Sequence, residues 1–168
     1  MKYIIKNKLI SIGDGSTVRD EYGNDLFLVR GRVFSPTRFK AICTPDKTPL
    51  FTVRNKFFHI FLPKVFLMDA NGKILLQIKK RSLFALRQDF EVVPVGDCPF
   101  RFTISGNVIG RHYDIIYNGM IVAHVRRNFN LIQDSFWLET EDTPNAALYV
   151  AFVIALDNYY DKLMNDDD

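Results

Sequence analysis

The chain has 168 residues, a net charge of +3, 48% hydrophobic and 24% charged residues, and only two cysteines. This is the composition of an ordinary globular protein large enough to bury a core, and it excludes a disordered chain or a disulfide scaffold. Cys43 and Cys98 lie far apart with no histidine at metal-ligand spacing, so we expect two reduced, mostly buried thiols and no metal site.

The first 15 residues predict a β-strand followed by a turn. Lys6 and Lys8 interrupt their apolar residues, so the segment lacks the continuous apolar region of a secretory signal. We therefore expect a cytoplasmic protein.

Turn signals then recur along the chain at intervals that fit two strands and two connections. They fall at Gly23-Asn24, Pro45-Asp46, Asn71-Gly72, Gly96-Asp97 and Asn118-Gly119. The two Asn-Gly pairs are the strongest, because these residues accept the positive φ angles of tight hairpin turns. The flanking segments alternate apolar and polar residues, so about 12 strands with one apolar face each are predicted over residues 1–142.

The alternation also assigns particular side chains to the interior. Ile121, Ala123 and Val125 share one phase, opposite to His124 and Arg126. Trp137, in the last predicted strand, is expected in the core.

The segment that follows predicts a helix that is apolar on every face. Thr143 and Pro144 form a helix start signal, and residues 146–156 contain no polar side chain except the phenol of Tyr149. A run of about 11 residues spans roughly 16 Å, too short for a bilayer core of roughly 30 Å, so the protein is not expected to be transmembrane. We predict a helix over residues 143–164 and a solvated acidic tail over residues 165–168.

These two features predict a mainly β fold: a closed antiparallel barrel of about 12 strands around a hydrophobic C-terminal helix, as one domain over residues 1–168. Closure covers the apolar face of the sheet and the apolar helix together. The alternative is a β-sandwich with the helix on one open side, which requires a polar stripe that residues 146–156 do not have.

Three segments carry a resemblance to a known family. They are "YIIKNKLISIGDGSTVRDEYGNDLFLVRGRVFS", "VFLMDANGKILLQIKKR" and "YDIIYNGMIVAHVRR". They resemble the LURP-one-related family of the tubby C-terminal-like superfamily, which includes the phospholipid scramblases. The resemblance implies the barrel fold but supplies no catalytic residues. It also implies relatives that bind phosphoinositide headgroups or act at membranes, although their lipid-binding motifs and calcium segment have no match here.

The charge is unevenly distributed along the chain. Residues 26–127 hold 17 basic and 6 acidic side chains, whereas residues 128–168 hold 1 basic and 9 acidic side chains. The hypothesis is a noncatalytic binding or scaffold protein, peripheral at anionic membranes or bound to a phosphate-bearing ligand or a protein partner, with no cofactor. The candidate anion-binding residues are Arg30, Arg32, Arg54, Lys79, Lys80, Arg81, Arg126 and Arg127.

The charge pattern also has a simpler interpretation. Outward charges are expected on any barrel, where they keep it soluble and protect strand edges, and on charge alone this interpretation is favoured. Nucleic acid is disfavoured, because the aromatic residues mostly take the inward phase and would not stack on bases.

An enzyme with a site at a barrel rim is the alternative function. His112 and Asp114 share one strand face, but a surface contact between strands is the commoner role for such a pair. No nucleophile elbow or phosphate loop accompanies them.

Overall fold

The computed structural model describes residues 1–6, 16–31, 39–55, 64–80, 90–107, 112–128 and 135–165, apart from the side chains of Lys80 and residues 160–165. Twelve strands and one α-helix make up this part of the chain. The strands are β1 (Lys2–Lys6), β2 (Ser16–Asp20), β3 (Asp25–Gly31), β4 (Lys40–Cys43), β5 (Pro49–Asn55), β6 (Lys64–Asp69), β7 (Ile74–Lys80), β8 (Phe90–Pro94), β9 (Phe102–Asn107), β10 (His112–Tyr117), β11 (Met120–Asn128) and β12 (Ser135–Glu139). A short 3-10 turn, Thr143–Asn145, leads into the helix α1, Ala146–Asn165.

The strands form a closed barrel in which each strand is antiparallel to its neighbours in the chain. The ring closes between the first and last strands, where Tyr3 pairs with Leu138 and Ile5 with Phe136. The predicted barrel is therefore confirmed, including its number of strands. Turns at all five predicted positions join neighbouring strands at one end of this barrel, and glycines with φ of 82° occupy both Asn-Gly turns.

The helix lies inside the barrel, as predicted. Every residue from Ala146 to Tyr159 is buried, and the large side chains of Tyr149, Phe152 and Ile154 are at most 1% exposed. The ring of Phe152 packs edge-on against that of Phe102 with centroids 5.1 Å apart. Apolar side chains on the inner face of the strands surround the helix, so each apolar surface covers the other. Among the described residues, no helix is long and apolar enough to cross a membrane.

Two predicted core residues lie elsewhere. Trp137 points to the outer face, half-buried, with the Lys2 ammonium 4.2 Å from its ring centroid. It stands between the buried Phe136 and Leu138, so alternation assigns it to the outside.

Ile121 is 52% exposed. A register shift explains this, because Ile115 pairs with Ala123 while Ile116 pairs with Ile121, leaving Val122 as an extra residue. This β-bulge reverses the phase of the strand before Ala123 and turns Ile121 outward.

Candidate functional site

The direction of the strands gives the barrel two different ends. Because neighbouring strands are antiparallel, all odd-numbered strands finish at one end, which we call the far end. The opposite end carries the five short turns and the start of α1, and we call it the turn end.

Most of the candidate anion-binding residues belong to the far end. Arg30, Arg54, Lys79, Arg126 and Arg127 all lie in the second half of an odd-numbered strand. Lys80 ends β7 at this same end, but its side chain is not described, and Arg32 and Arg81 lie outside the described residues. The structure thus assigns six of the eight candidates to one end of the barrel.

Four cations at the far end share one stretch of the wall, from β3 to β7. We call them the basic sector: Arg30, Arg54, Lys64 and Lys79. Arg30 and Arg54 are exposed, and their Cα atoms are roughly 12 Å apart, given ~4.8 Å between strands and ~3.3 Å per residue. Neither arginine has an ion-pair partner among the described residues.

Lys64 and Lys79 lie directly opposite each other on β6 and β7. The Lys79 Nζ is 3.2 Å from a carboxylate oxygen of Glu91 on the next strand. Like charges in directly opposed positions destabilise a sheet, and this single carboxylate offsets the repulsion only in part. The pair therefore leaves an excess of positive charge on this wall.

Lys64 was not among the candidates chosen from the sequence. The signal was nevertheless present, because a hairpin centred on Asn71-Gly72 pairs positions equally distant from the turn. That rule places Lys64 opposite Lys79, as observed.

Arg126 and Arg127 are not part of the basic sector. They lie on β11, which is separated from both β3 and β7 by three intervening strands in the ring. The barrel thus distributes the candidates over two separate regions of its far end.

The turn end carries mostly acidic side chains. The nine acids described there are Asp20, Glu21, Asp25, Asp46, Asp69, Asp97, Glu139, Glu141 and Asp142, and they outnumber the five described lysines and arginines, Lys2, Arg19, Lys47, Lys73 and Arg101. Several of these carboxylates are part of the turns themselves. A side-chain hydrogen bond from Asn24 lowers the pKa of Asp20, and backbone N–H groups of the same turn add to this effect. The barrel is therefore electrically polarised from one end to the other.

A buried polar cluster lies inside the barrel towards the far end. The Lys40 Nζ is 4.0 Å from a carboxylate oxygen of Asp157, and the Asn55 amide donates to the Asn158 backbone oxygen at 3.3 Å. The Tyr159 ring packs edge-on against Phe90 at 4.9 Å, and burial raises the pKa of its hydroxyl to about 12. These contacts join the second half of α1 to β4, β5 and β8.

The histidine and aspartate considered for an enzyme do not bond to each other. Asp114 instead bonds His124 across β10 and β11, with its Oδ1 2.7 Å from Nδ1, and both side chains are substantially exposed. The nearest serine by register, Ser105, lies opposite Asp114 on β9 and not beside the imidazole. A serine activated by a histidine needs the imidazole between the hydroxyl and the carboxylate, and this order is different.

The cysteines and acids offer no metal centre in the described residues. No three His, Cys, Asp or Glu side chains converge there as metal ligands would. Cys43 and Cys98 are free and buried. Burial raises the pKa of the Cys43 thiol, and the charge of Arg30 opposes that shift. Burial makes Cys43 a poor nucleophile.

These features define the class of the protein: a closed antiparallel barrel built around a central helix, the tubby C-terminal-like fold. The chain belongs to the LURP-one-related family, whose model matches residues 1–157. It is also similar to the X-ray structure of a protein from Arabidopsis thaliana, with 19% identity and a TM-score of 0.56 over 93% of this chain and 90% of that one. That likeness concerns the fold alone. No curated protein matches the sequence.

Proposed function

We propose that the protein is a noncatalytic binding module, a single domain over residues 1–168, that attaches weakly and reversibly to anionic phospholipid surfaces through the basic sector. The observation that carries this proposal is the grouping of Arg30, Arg54, Lys64 and Lys79 on one outer wall. Among the described residues, the acid that pairs with this group is Glu91, next to Lys79. The electrical polarity of the barrel orients this wall towards an anionic surface.

The expected strength follows from the number of free cations. Each Lys or Arg near an anionic membrane contributes about 1 kcal/mol. Glu91 offsets one of the four charges, so about 3 kcal/mol remain, which is roughly a hundredfold enrichment at the surface. This energy attaches a protein reversibly and requires no insertion of apolar side chains.

The opposed lysines support the same role. Lys64 and Lys79 repel each other when the wall faces water. A phosphate group placed between them relieves this repulsion, so part of the strain in the free protein becomes binding energy. A wall designed only for solubility would alternate charges of both signs.

The remaining features are compatible with a position at the cytoplasmic face of a membrane. That leaflet carries the anionic lipids, and both cysteines are free, as the reducing cytoplasm favours. The separation of Ser105 from His124 by the carboxylate supports a noncatalytic role.

The test is sedimentation with phosphatidylcholine vesicles that contain or lack phosphatidylserine, at salt from about 0.1 M to about 1 M. Wild-type protein should sediment with the anionic vesicles only, and salt should release it. The variant Arg30→Glu/Arg54→Glu should lose binding. A variant with both Lys79 and Arg81 substituted would be a weaker test of the basic sector, because Glu91 already pairs with Lys79.

A matched control comes from the turn end. Lys47→Glu/Lys73→Glu makes the same change in net charge at two exposed lysines of the short turns. It should bind as wild type does. Equal loss in both variants would show a response to net charge alone, and the cations would then be a solubility device. Binding of free inorganic phosphate without binding to vesicles would identify a soluble phosphate compound as the ligand instead.

A further inference from the structure

The large hydrophobic residues that are exposed in the described part of the chain all lie at the turn end. They are Met1 (49% exposed), Tyr22 (83%), Met120 (67%) and Ile121 (52%). Single exposed apolar residues are common on any protein surface, so their grouping is the informative feature. They occupy the β2–β3 turn, the position before β1 and the start of β11, and we call this region the apolar sector.

The pairing of the strands brings these positions together. β1 pairs with both β2 and β12, and β12 pairs with β11. At ~4.8 Å per strand, the apolar sector is therefore roughly 19 Å wide. A standard protein interface covers about 800 Å² on each partner, or roughly 30 Å across, so the sector fits within one contact surface.

Hydrogen bonds fix the centre of the apolar sector. The Thr140 N–H donates to the Met1 backbone oxygen at 3.0 Å, and the Thr140 hydroxyl donates to the Val122 backbone oxygen at 2.6 Å. These bonds tie Met1 and β11, the strand that carries Ile121, to the same residue, Thr140. The two sides of the sector are therefore held in one arrangement before any partner binds, which lowers the entropic cost of binding.

The β-bulge in β11 places Ile121 on this surface. In a regular strand, with Val122 paired in the ladder, Ile121 would share the inward phase of Ala123 and lie in the core. Bulges occur where a fold redirects a side chain, often at functional positions. Burial is the strong preference of isoleucine, and the exposed position of Ile121 is consistent with its burial against a partner.

The free charge around the apolar sector is negative. Glu21 adjoins Tyr22 and Glu141 follows Thr140; both are exposed, and neither has an ion-pair partner in the part of the chain that the structure describes. Three cations lie in this sector. Lys2 pairs with Glu139 at 3.5 Å and Arg19 with Asp25 at 2.7 Å, and the Met1 ammonium donates to the Thr140 backbone oxygen at 2.7 Å. The two free glutamates therefore still outnumber the one cation that has no carboxylate partner.

We propose that the apolar sector docks a segment of another protein in which lysine or arginine side chains flank apolar ones. The exposed tyrosine and methionines are residue types enriched at interfaces, and the two free glutamates select a basic partner. The described strands form a closed ring, so the partner binds through side chains and not by adding a strand. This inference does not rest on anion binding, because the basic sector lies at the other end.

The test starts from a displayed library of short random peptides selected on the intact protein at low salt. Enriched peptides should combine Leu, Phe or Met with Lys or Arg. One of them, synthesised with a fluorescent label, is then titrated by anisotropy. The variant Tyr22→Ser/Ile121→Ser should weaken its binding at least about tenfold, as expected for loss of interface anchors.

Two further variants keep the test interpretable. Glu21→Lys/Glu141→Lys should weaken binding and remove its salt dependence, and it changes only exposed side chains. Arg30→Glu/Arg54→Glu at the far end should leave peptide affinity unchanged. All variants should melt at the wild-type temperature, since none alters the core.

The inference is overturned if selection yields no basic apolar motif, or if the peptides bind the apolar-sector variants as tightly as wild type. Sedimentation velocity of the protein alone tests whether a second copy of the chain binds the apolar sector. Concentration-dependent self-association that Tyr22→Ser/Ile121→Ser abolishes would also overturn the assignment to a foreign segment.

Discussion

The hydrogen bond between Tyr149 and Asp142 fixes the point where α1 enters the barrel, and removing it should measurably destabilise the fold. The Tyr149 hydroxyl donates to the Asp142 carboxylate at 2.6 Å, and the Asn145 amide donates to both oxygens of that carboxylate. The substitution Tyr149→Phe removes the hydroxyl but keeps the ring, which packs edge-on against Phe102 at 6.3 Å. Packing is therefore preserved, and only the hydrogen bond changes.

The expected loss follows from the partners of the bond. Hydrogen bonds to charged groups contribute about 1.5–3 kcal/mol. Because Asp142 is half-buried and keeps the bonds from Asn145, we expect about 1.5 kcal/mol, the lower limit. In a protein of this size that corresponds to a melting temperature about 3–6 °C lower.

The effect should depend on pH. The hydrogen bond from Tyr149, followed by that from Asn145, lowers the pKa of Asp142, whereas burial raises the pKa of Tyr149. A carboxyl with a lowered folded pKa contributes stability above its unfolded value of about 3.9 and loses it as the pH falls through the folded pKa. The difference between wild type and Tyr149→Phe should thus be full at neutral pH and shrink below about pH 4.

Urea unfolding at neutral pH and below about pH 4 measures the difference in unfolding free energy between wild type and Tyr149→Phe. A double-mutant cycle with Asp142→Ala, which removes both acceptor oxygens, should give a coupling energy of about 1 kcal/mol or more at neutral pH. A destabilisation that stays constant into the acid range, or a coupling energy near zero, would refute the assignment to this hydrogen bond.

Further substitutions test the core, the buried Lys40–Asp157 pair and the barrel wall. Phe152→Asp places an unpaired carboxylate in a fully buried position and should abolish folding. The expected loss of several kcal/mol approaches the total stability of a typical protein, about 5–15 kcal/mol. A soluble variant that melts cooperatively would contradict the assignment of the helix to the core. Lys40→Met should destabilise the protein by up to about 3 kcal/mol, because it removes the positive charge 4.0 Å from the buried Asp157 carboxylate. Asp157→Leu in the same protein should restore part of that loss, which chemical denaturation measures. Gly106→Ala should lower the melting temperature strongly, because φ is +128° and a Cβ would lie 2.7 Å from a backbone oxygen of β10. The control variant Gly31→Ala, whose Cβ would have its nearest contact at 3.8 Å, should melt close to the wild-type temperature.

The sequence predicted most of the fold because its signals are local or follow from simple covering rules. The Asn118-Gly119 turn needs only two residues with positive φ, and these residues have φ of 49° and 82°. A helix that is apolar on every face must be enclosed by other parts of the protein, whichever strands supply the cover. Closure of the barrel was therefore predictable before any strand pairing was known.

The alternation of apolar and polar residues gave wrong predictions at Trp137 and Ile121, for two different reasons. In the triplet Phe136-Trp137-Leu138 all three residues are apolar, so the pattern does not distinguish inside from outside. At Ile121 the pattern was clear but wrong. One extra residue in β11 reverses the phase, and such a bulge depends on cross-strand pairing with β10.

By itself, the sequence determined which residues carry charge, where the turns fall and that the final helix is buried. The tertiary structure alone decided which charges are neighbours, because Coulomb interactions in salt solution extend only about 8–10 Å. Strand direction brings Arg30, Arg54 and the opposed lysines to one wall, and the ring order removes Arg126 from it. Residues far apart in the chain become a binding surface only through cross-strand register, which no local segment specifies.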